Sequence, residues 1–307
     1  MKKILCIHEG KSYLPEIDAY KKYFAAYGDF QFIDSIKDLN GIYEVGDFDI
    51  LWYIMGTDFK AVNMPKVHDY ASLSTGNMQT VKNLAKRVFN KTPNLRLFLN
   101  DHVKNTMNFT DSVPYLIRDM GVDKSFFIKS VKKEYDFVYM GAITEERKIP
   151  QLLYKFKSDL KSKSILVIGE VPLHIYKEFS SSSNIIFSGK LTYKDVPRLA
   201  SKAIYGINMV PDQSPFNSQT STKLLEYCAL GLKVITTQYQ WQKEFENRNS
   251  AHFFKIDEKL EKFDLNAIEN FKFKTPGVED LEWSNILDSL ELNTKLLTVI
   301  EQGYDYG

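Results

Sequence analysis

Residues 218–237, SQTSTKLLEYCALGLKVITT, carry the residue types and spacings best suited to chemistry in this chain. A polar cluster, Gln219, Thr220, Ser221 and Thr222, precedes a helical pattern, and the first N–H groups of a helix are unsatisfied and favour an anion at that end. Lys223 falls in the first turn and Glu226 three residues later, so both side chains lie on one face about one turn apart. That spacing suits a diphosphate at the lysine and a ribose at the glutamate. As a bare pattern it also fits an ordinary surface Lys–Glu pair. The setting argues against that, because Leu224, Leu225, Tyr227, Cys228, Ala229 and Leu230 make the helix apolar nearly all round. A carboxylate in such surroundings needs partners, and ribose hydroxyls would supply charge-assisted hydrogen bonds.

The elements that must position these residues alternate between strand and helix. Apolar runs at residues 3–8, 30–34, 48–54 and 95–99 predict strands. Residues 15–27 predict a helix stopped by Gly28, and residues 80–89 a basic amphipathic helix. The same grammar restarts at Tyr135, with strands at 136–140, 164–169, 184–189, 205–210 and 232–237 and helices at 147–160, 196–202, 221–230 and 239–247. Short apolar strands separated by helices imply parallel sheets covered on both faces, with ligands at the carboxyl ends of the strands. The expectation is an α/β protein of two doubly wound, Rossmann-like domains facing across a cleft. Residues 1–125 form the first domain and residues 126–279 the second. The aperiodic, lysine-rich stretch 121–134 serves as a hinge, and residues 280–307 form a closing amphipathic helix packed across both.

Composition bounds the function classes. The 307 residues include 40 Lys+Arg against 39 Asp+Glu, so no broad positive field exists to hold a nucleic-acid backbone, and no nucleic acid is expected as partner. Only 6 of the basic residues are Arg, so lysine clusters count for less here than elsewhere. Cys6 and Cys228 each sit inside an apolar run, which suits buried free thiols in a reducing compartment. The apolar stretch before His8 is too short for a signal-peptide core, and no run reaches the roughly 18 apolar residues that span a bilayer. A cytoplasmic location is expected, with a peripheral contact at the inner face of the membrane left open. There is no clustered His/Cys spacing for a metal, no D-x-D between apolar strands, no Walker loop, no G-x-G-x-x-G and no G-x-S-x-G elbow, which removes support for oxidoreductase, kinase and hydrolase readings.

TKLLEYCALGLKVITT resembles the donor-site signature of GT-B glycosyltransferases in and around family 4 (group 1), S-P-x-K-x-x-E-Y-x-A-x-G-x-P-V-I. Lys223, Glu226, Tyr227, Ala229, Gly231, Val234 and Ile235 match it, whereas Lys233 stands where the family has its second proline. The resemblance implies that Glu226 binds the nucleotide ribose and that the helix start at Ser221 and Thr222 meets the diphosphate. The family's upstream sugar-contacting glutamate is Ser218 here, so Asn217 or Gln219 would take its place. DFVYMGAITEERKIPQLL is similar to the family's phosphate-binding strand, loop and helix, with Lys148 matching the diphosphate-clamping lysine and Arg147 a neighbouring candidate. The arginine usual after the glycine is Ala142, and a solvated helix start is the alternative for this stretch. Ser188, Gly189 and Leu191 would line the base. Gly10 stands where the family often has a glycine pair near the donor phosphates. In similar enzymes a His or Asp of the N-terminal domain contacts the acceptor or the transferred sugar. His68 and Asp69, read as lying in a cleft-facing loop KVHDYASLSTGN, are the candidates for that catalytic role, although a lone His–Asp pair is more often structural. Trp283 resembles the family's aromatic before its closing helix.

The resemblance therefore implies a retaining, metal-independent hexosyltransferase that needs no cofactor. It would use a UDP- or GDP-linked sugar as donor and a glycan or lipid-linked acceptor, in polysaccharide or glycan biosynthesis. Two alternatives accompany it: a nucleotide-sugar 2-epimerase on the same scaffold, and a non-catalytic nucleotide-sugar-binding partner protein.

Overall fold

The computed structural model describes residues 1–10, 14–54, 58, 62–74, 78–128, 131–214 and 216–304. The chain divides into two compact units, Met1–Gly121 together with Asp280–Gly307, and Val122–Glu279. In the first unit the order is β1 (Lys2–Ile7), α1 (Pro15–Tyr27), β2 (Phe30–Asp34), β3 (Ile50–Ile54), β4 (Lys66–Tyr70), α2 (Gln79–Phe89), β5 (Leu95–Phe98), α3 (Asp101–Met107) and β6 (Tyr115–Ile117). The second unit runs β7 (Tyr135–Met140), α4 (Ile149–Ser158), β8 (Ile165–Ile168), α5 (Leu173–Phe179), β9 (Ile185–Gly189), α6 (Val196–Ala200), β10 (Ala203–Asn208), α7 (Thr222–Ala229), β11 (Lys233–Thr237), α8 (Gln240–Arg248), β12 (Phe254–Ile256) and α9 (Leu265–Asn270). The chain closes with α10 (Trp283–Ser289) and α11 (Leu292–Tyr304).

Both sheets have six strands, ordered β2-β1-β3-β4-β5-β6 and β12-β11-β10-β7-β8-β9, and their ladders are parallel. Continuous apolar strands such as ILWYI and ILVI form because helices cover both faces of a parallel sheet. In the second sheet the chain lays down β7, β8 and β9 outward, then returns to the other side of β7 for β10, β11 and β12. The order reverses between β7 and β10, and the crevice at such a switch point is where open α/β sheets bind ligands.

One face of the first sheet is aromatic. Tyr20 and Phe24 of α1 pack on Phe32 and Trp52, with Tyr20 and Trp52 ring centroids 4.7 Å apart. The helix α1 starts with Pro15 at its first turn and stops at Gly28, whose φ of 80° only glycine adopts cheaply. Leu287, Leu292, Leu296, Val299 and Ile300 of the closing segment complete this core. That segment is two helices rather than the single one its apolar periodicity suggests, because Glu291 takes a left-handed φ of 51° between them.

The middle of the first sheet corrects a second expectation. Residues 66–70, KVHDY, are strand β4 and not a loop, and all five are buried. A strand this polar is stable because its side chains find buried partners. Lys66 Nζ lies 3.0 Å and His68 Nε2 3.2 Å from Asp58 Oδ2, while Tyr20 donates to Asp69 Oδ2 at 2.8 Å. Thr75, Gly76 and Asn77 of that expected loop lie outside the described residues, as do Lys11, Ser12 and Tyr13 after β1 and Lys129 and Ser130 of the expected hinge. No helix among the described residues is long and apolar enough to cross a membrane.

Candidate functional site

The switch-point crevice is built around α7. Ser221 caps the helix, its Oγ accepting the Leu224 N–H at 3.4 Å and donating to Asn208 Oδ1 at 3.1 Å. Asn208 is the last residue of β10 and fully buried, and its Nδ2 donates to Thr236 Oγ1 at 3.1 Å and to the Tyr239 hydroxyl at 3.0 Å. The helix start is thereby fastened to the carboxyl ends of β10 and β11. Tyr227 fastens its middle. The ring lies so close to Gly206 that a Cβ there would come within 2.6 Å, and its hydroxyl accepts the Met140 N–H at 3.1 Å and donates to the Ile207 carbonyl at 3.2 Å. Since Met140 ends β7 and Ile207 belongs to β10, one side chain spans the two strands between which the order reverses.

Held this way, Lys223 points its ammonium at the end of β7. Nζ lies 4.1 Å from the centroid of the Tyr139 ring and is buried without a hydrogen-bond partner. Burial, and after it the positive charge of Arg147, hold this amine well below the usual lysine range, against the opposing pull of Glu226. An ammonium has three donors to satisfy, and leaving them unmade in the interior is costly. An anion placed beside Nζ would supply the missing acceptors.

Glu226 is 8% exposed and accepts the Tyr193 hydroxyl at 2.7 Å. Burial pushes its carboxyl up to about 7, Tyr193 and Lys223 pull the other way, and Asp123 adds to the rise. Tyr193 is itself braced by Phe126, ring centroids 5.3 Å apart. The floor of the crevice is backbone. A Cβ on Gly169, after β8, would fall 2.2 Å from the carbonyl oxygen of Gly141, after β7, so the two loops touch because Gly169 has no side chain.

The structure gathers Ser221, Thr222, Lys223, Glu226 and Arg147 at one place on the second sheet. Arg147 is half-buried, and its charge acts on both Lys223 and the Tyr139 hydroxyl. Lys148 is exposed in a left-handed turn (φ 56°) that caps α4, and it borders a shallow hollow shared with Arg147, Val210, Thr237 and Glu258. Asn217 and Ser218 lie in the short 3-10 turn Phe216–Ser218 ahead of α7. Asn217 Nδ2 donates to Asp212 Oδ1 at 3.2 Å, Ser218 is buried, and the Gln219 amide nitrogen beside them is buried without a partner. Leu191 is half-buried just past β9, where Ser188 Oγ donates to the Gly189 carbonyl at 3.0 Å.

Gly10, His68 and Asp69 belong to the first unit. Gly10 has φ 69° and donates its N–H to His8 Nδ1 at 3.2 Å, with His8 Nε2 at 2.9 Å from Asp34 Oδ1. His68 and Asp69 face opposite sides of their strand and do not act as a pair. His68 is held below the usual imidazole range by burial, against the pull of Asp58, and Asp69 is bound to Arg118 Nε at 3.0 Å. Both are 3% exposed or less. Sequence reasoning missed Tyr139, Tyr193 and Asn208. Each is polar at or just beyond the carboxyl end of a strand, which is the only signal they carry. Among the described residues no three His, Cys, Asp or Glu side chains group as metal ligands.

No family model matches the chain, and no curated protein matches it either. Solved structures do. HepE from Anabaena, in complex with UDP and glucose, aligns with a TM-score of 0.61 at 10% identity, covering 100% of this chain and 99% of that one. AviGT4, a glycosyltransferase involved in Avilamycin A biosynthesis, gives 0.58 at 8% identity over 100% and 99%. The UDP-GlcNAc 2-epimerase of Methanocaldococcus jannaschii, in complex with UDP-GlcNAc and UDP, gives 0.52 at 14% over 94% and 99%. Two six-stranded parallel sheets with flanking helices, aligned along nearly the whole of such structures, define the two-domain α/β GT-B fold.

Proposed function

We propose that this chain is a glycosyltransferase that binds a nucleoside-diphosphate sugar at the β7/β10 crevice of its second unit and transfers the sugar to a glycan or lipid-linked acceptor. The observation that carries the reading is the Lys223 ammonium, buried with no hydrogen-bond partner at the start of a capped helix and beside Arg147. A helix N-terminus and two cations at one place suit a diphosphate, and they suit it best as a leaving group on which negative charge grows. Glu226, braced by Tyr193, stands one turn along the same face to accept ribose hydroxyls. The Anabaena and AviGT4 neighbours, one solved with UDP and glucose and the other described as a glycosyltransferase, support this on a shared fold. Retention at the anomeric carbon, independence of metal and a cytoplasmic role in polysaccharide biosynthesis complete the proposal.

A 2-epimerase is the second reading, favoured by the likeness to UDP-GlcNAc 2-epimerases from M. jannaschii and, by its description, Listeria monocytogenes. The two part on acceptor dependence. An epimerase consumes UDP-sugar alone, and a transferase requires an acceptor.

The test is a thermal-unfolding series with UDP, GDP, ADP, CMP and dTDP, since a ligand at 100 times its Kd adds about 2.7 kcal/mol. One diphosphate is expected to raise Tm, and Glu226→Ala to abolish the rise. Lys223→Met is expected to stabilise the ligand-free protein by about 1–3 kcal/mol, because it removes an unsatisfied buried donor, while losing the nucleotide shift. A Lys223→Met protein that still responds fully to its diphosphate would sink the site assignment.

A further inference from the structure

The helix α2 is inside out. Its half-buried positions include Gln79, Asn83 and Lys86, which repeat at helical spacing and turn toward the protein, whereas Val81, Leu84, Val88 and Phe89 are 46–64% exposed and Met78, just ahead of it, is 67% exposed. No residue of the helix is buried. The reason lies beneath it. The sheet face on that side carries the polar side chains of β4, and the segment answers with polar contacts of its own: Asn83 Oδ1 accepts the Ser74 N–H at 3.0 Å, Asn90 Oδ1 accepts the Asp58 N–H at 3.0 Å, and Asn90 Nδ2 reaches the Tyr70 hydroxyl at 3.5 Å. With its polar side spent on the sheet, the helix presents its apolar side to the surroundings.

Charge identifies what that side meets. Residues 78–91, MQTVKNLAKRVFNK, hold four basic residues and no acidic one, in a chain whose basic and acidic residues overall balance at 40 against 39. At 100° per residue the apolar side chains of the helix fall in one arc, with Lys82 on one flank and Arg87 on the other. An exposed apolar stripe between two cationic margins is the form of a helix lying in a bilayer interface, with its apolar side chains below the headgroups and its cations among anionic ones. Phosphate-rich polymers would meet the cations but not the stripe. We propose that α2 docks the first unit onto a membrane surface containing anionic lipids.

The inference is independent of the donor reading, since nucleotide binding and vesicle binding can each fail alone. The full-length protein is to be sedimented with vesicles of phosphatidylcholine, with and without phosphatidylglycerol, at low and high salt. Binding is expected with phosphatidylglycerol only and is expected to weaken with salt. Lys82→Glu and Arg87→Glu are each expected to weaken it about fivefold or more. Val81→Asp with Val88→Asp is expected to abolish it with Tm unchanged, as both side chains are exposed. Absence of vesicle binding, or binding indifferent to these variants, would overturn the proposal. So would a concentration-dependent dimer that Val81→Asp dissolves, which would place a second copy on this face.

Discussion

Glu226 and Lys223 share one helix face, and their titrations run in opposite directions for one physical reason. Burial favours the neutral form of each, raising the acid to about 7 and depressing the amine. For Glu226 the linkage has the reverse of the usual carboxylate sign. The folded state binds its proton more tightly than the unfolded chain does, so its contribution is fully present below the ordinary value of 4.5 and is lost as pH rises from there to about 7. Stability measured by urea unfolding of the ligand-free protein should therefore fall across that window relative to Glu226→Gln, at no more than about 1.4 kcal/mol per pH unit. Parallel curves for the two proteins would mean that the carboxyl is solvated. The pair is legible in the sequence because a helix makes neighbours of residues three apart. Tyr193 is not, because the bond it donates to Glu226 joins residues 33 positions apart, brought together only by folding.

Among elements, β4 shows what periodicity misses and what then holds a polar strand in a core. Its Asp69 meets Arg118, just after β6, and Arg118 Nη2 reaches Glu16 of α1 at 3.1 Å, while Tyr20 donates to Asp69. Arg118 is fully buried, and this one side chain ties strand, helix and the segment leading out of the first unit. Buried ion groups of this kind add little net stability when whole and cost much when one member is removed. Arg118→Met should leave two buried carboxylates uncompensated and lower stability by about 3–5 kcal/mol, read as a lower denaturant midpoint. Part of that loss should return on acidification, as Glu16, whose carboxyl burial already pushes up, takes up a proton. A loss below about 1 kcal/mol would show that solvent reaches the cluster. Strands such as Ile50–Ile54 are plain in the sequence because burial on both faces demands unbroken apolar runs. β4 escapes that signature because charge partners replace apolar contacts, and those partners lie 8 to 49 residues away.

At the scale of the whole molecule, the chain leaves the first unit at Gly121, builds the second, and returns at Asp280 to finish the first. The apolar pattern of the closing residues says that one side must be buried, but not which core receives it. Gly121 records the answer locally: a Cβ there would meet the Trp283 ring at 2.5 Å, so the point of departure and the point of return are packed against each other. Trp283, Leu287, Leu292 and Leu296 belong to the same core as Tyr20, Phe24 and Trp52. Ending the chain at Glu279 would open that aromatic core to water, at about 1.5–3 kcal/mol for each large side chain left unburied, which exceeds the reserve of most domains. The second unit keeps Lys223, Glu226, Tyr193, Arg147 and the whole of its own sheet. Calorimetry of the shortened protein should show one transition lost and one retained, and the retained one should still rise with the diphosphate that stabilises the full chain. Loss of the nucleotide response along with the first unit would mean that the donor site draws on residues outside Val122–Glu279, and would redirect attention to Gly10 and the loop after β1.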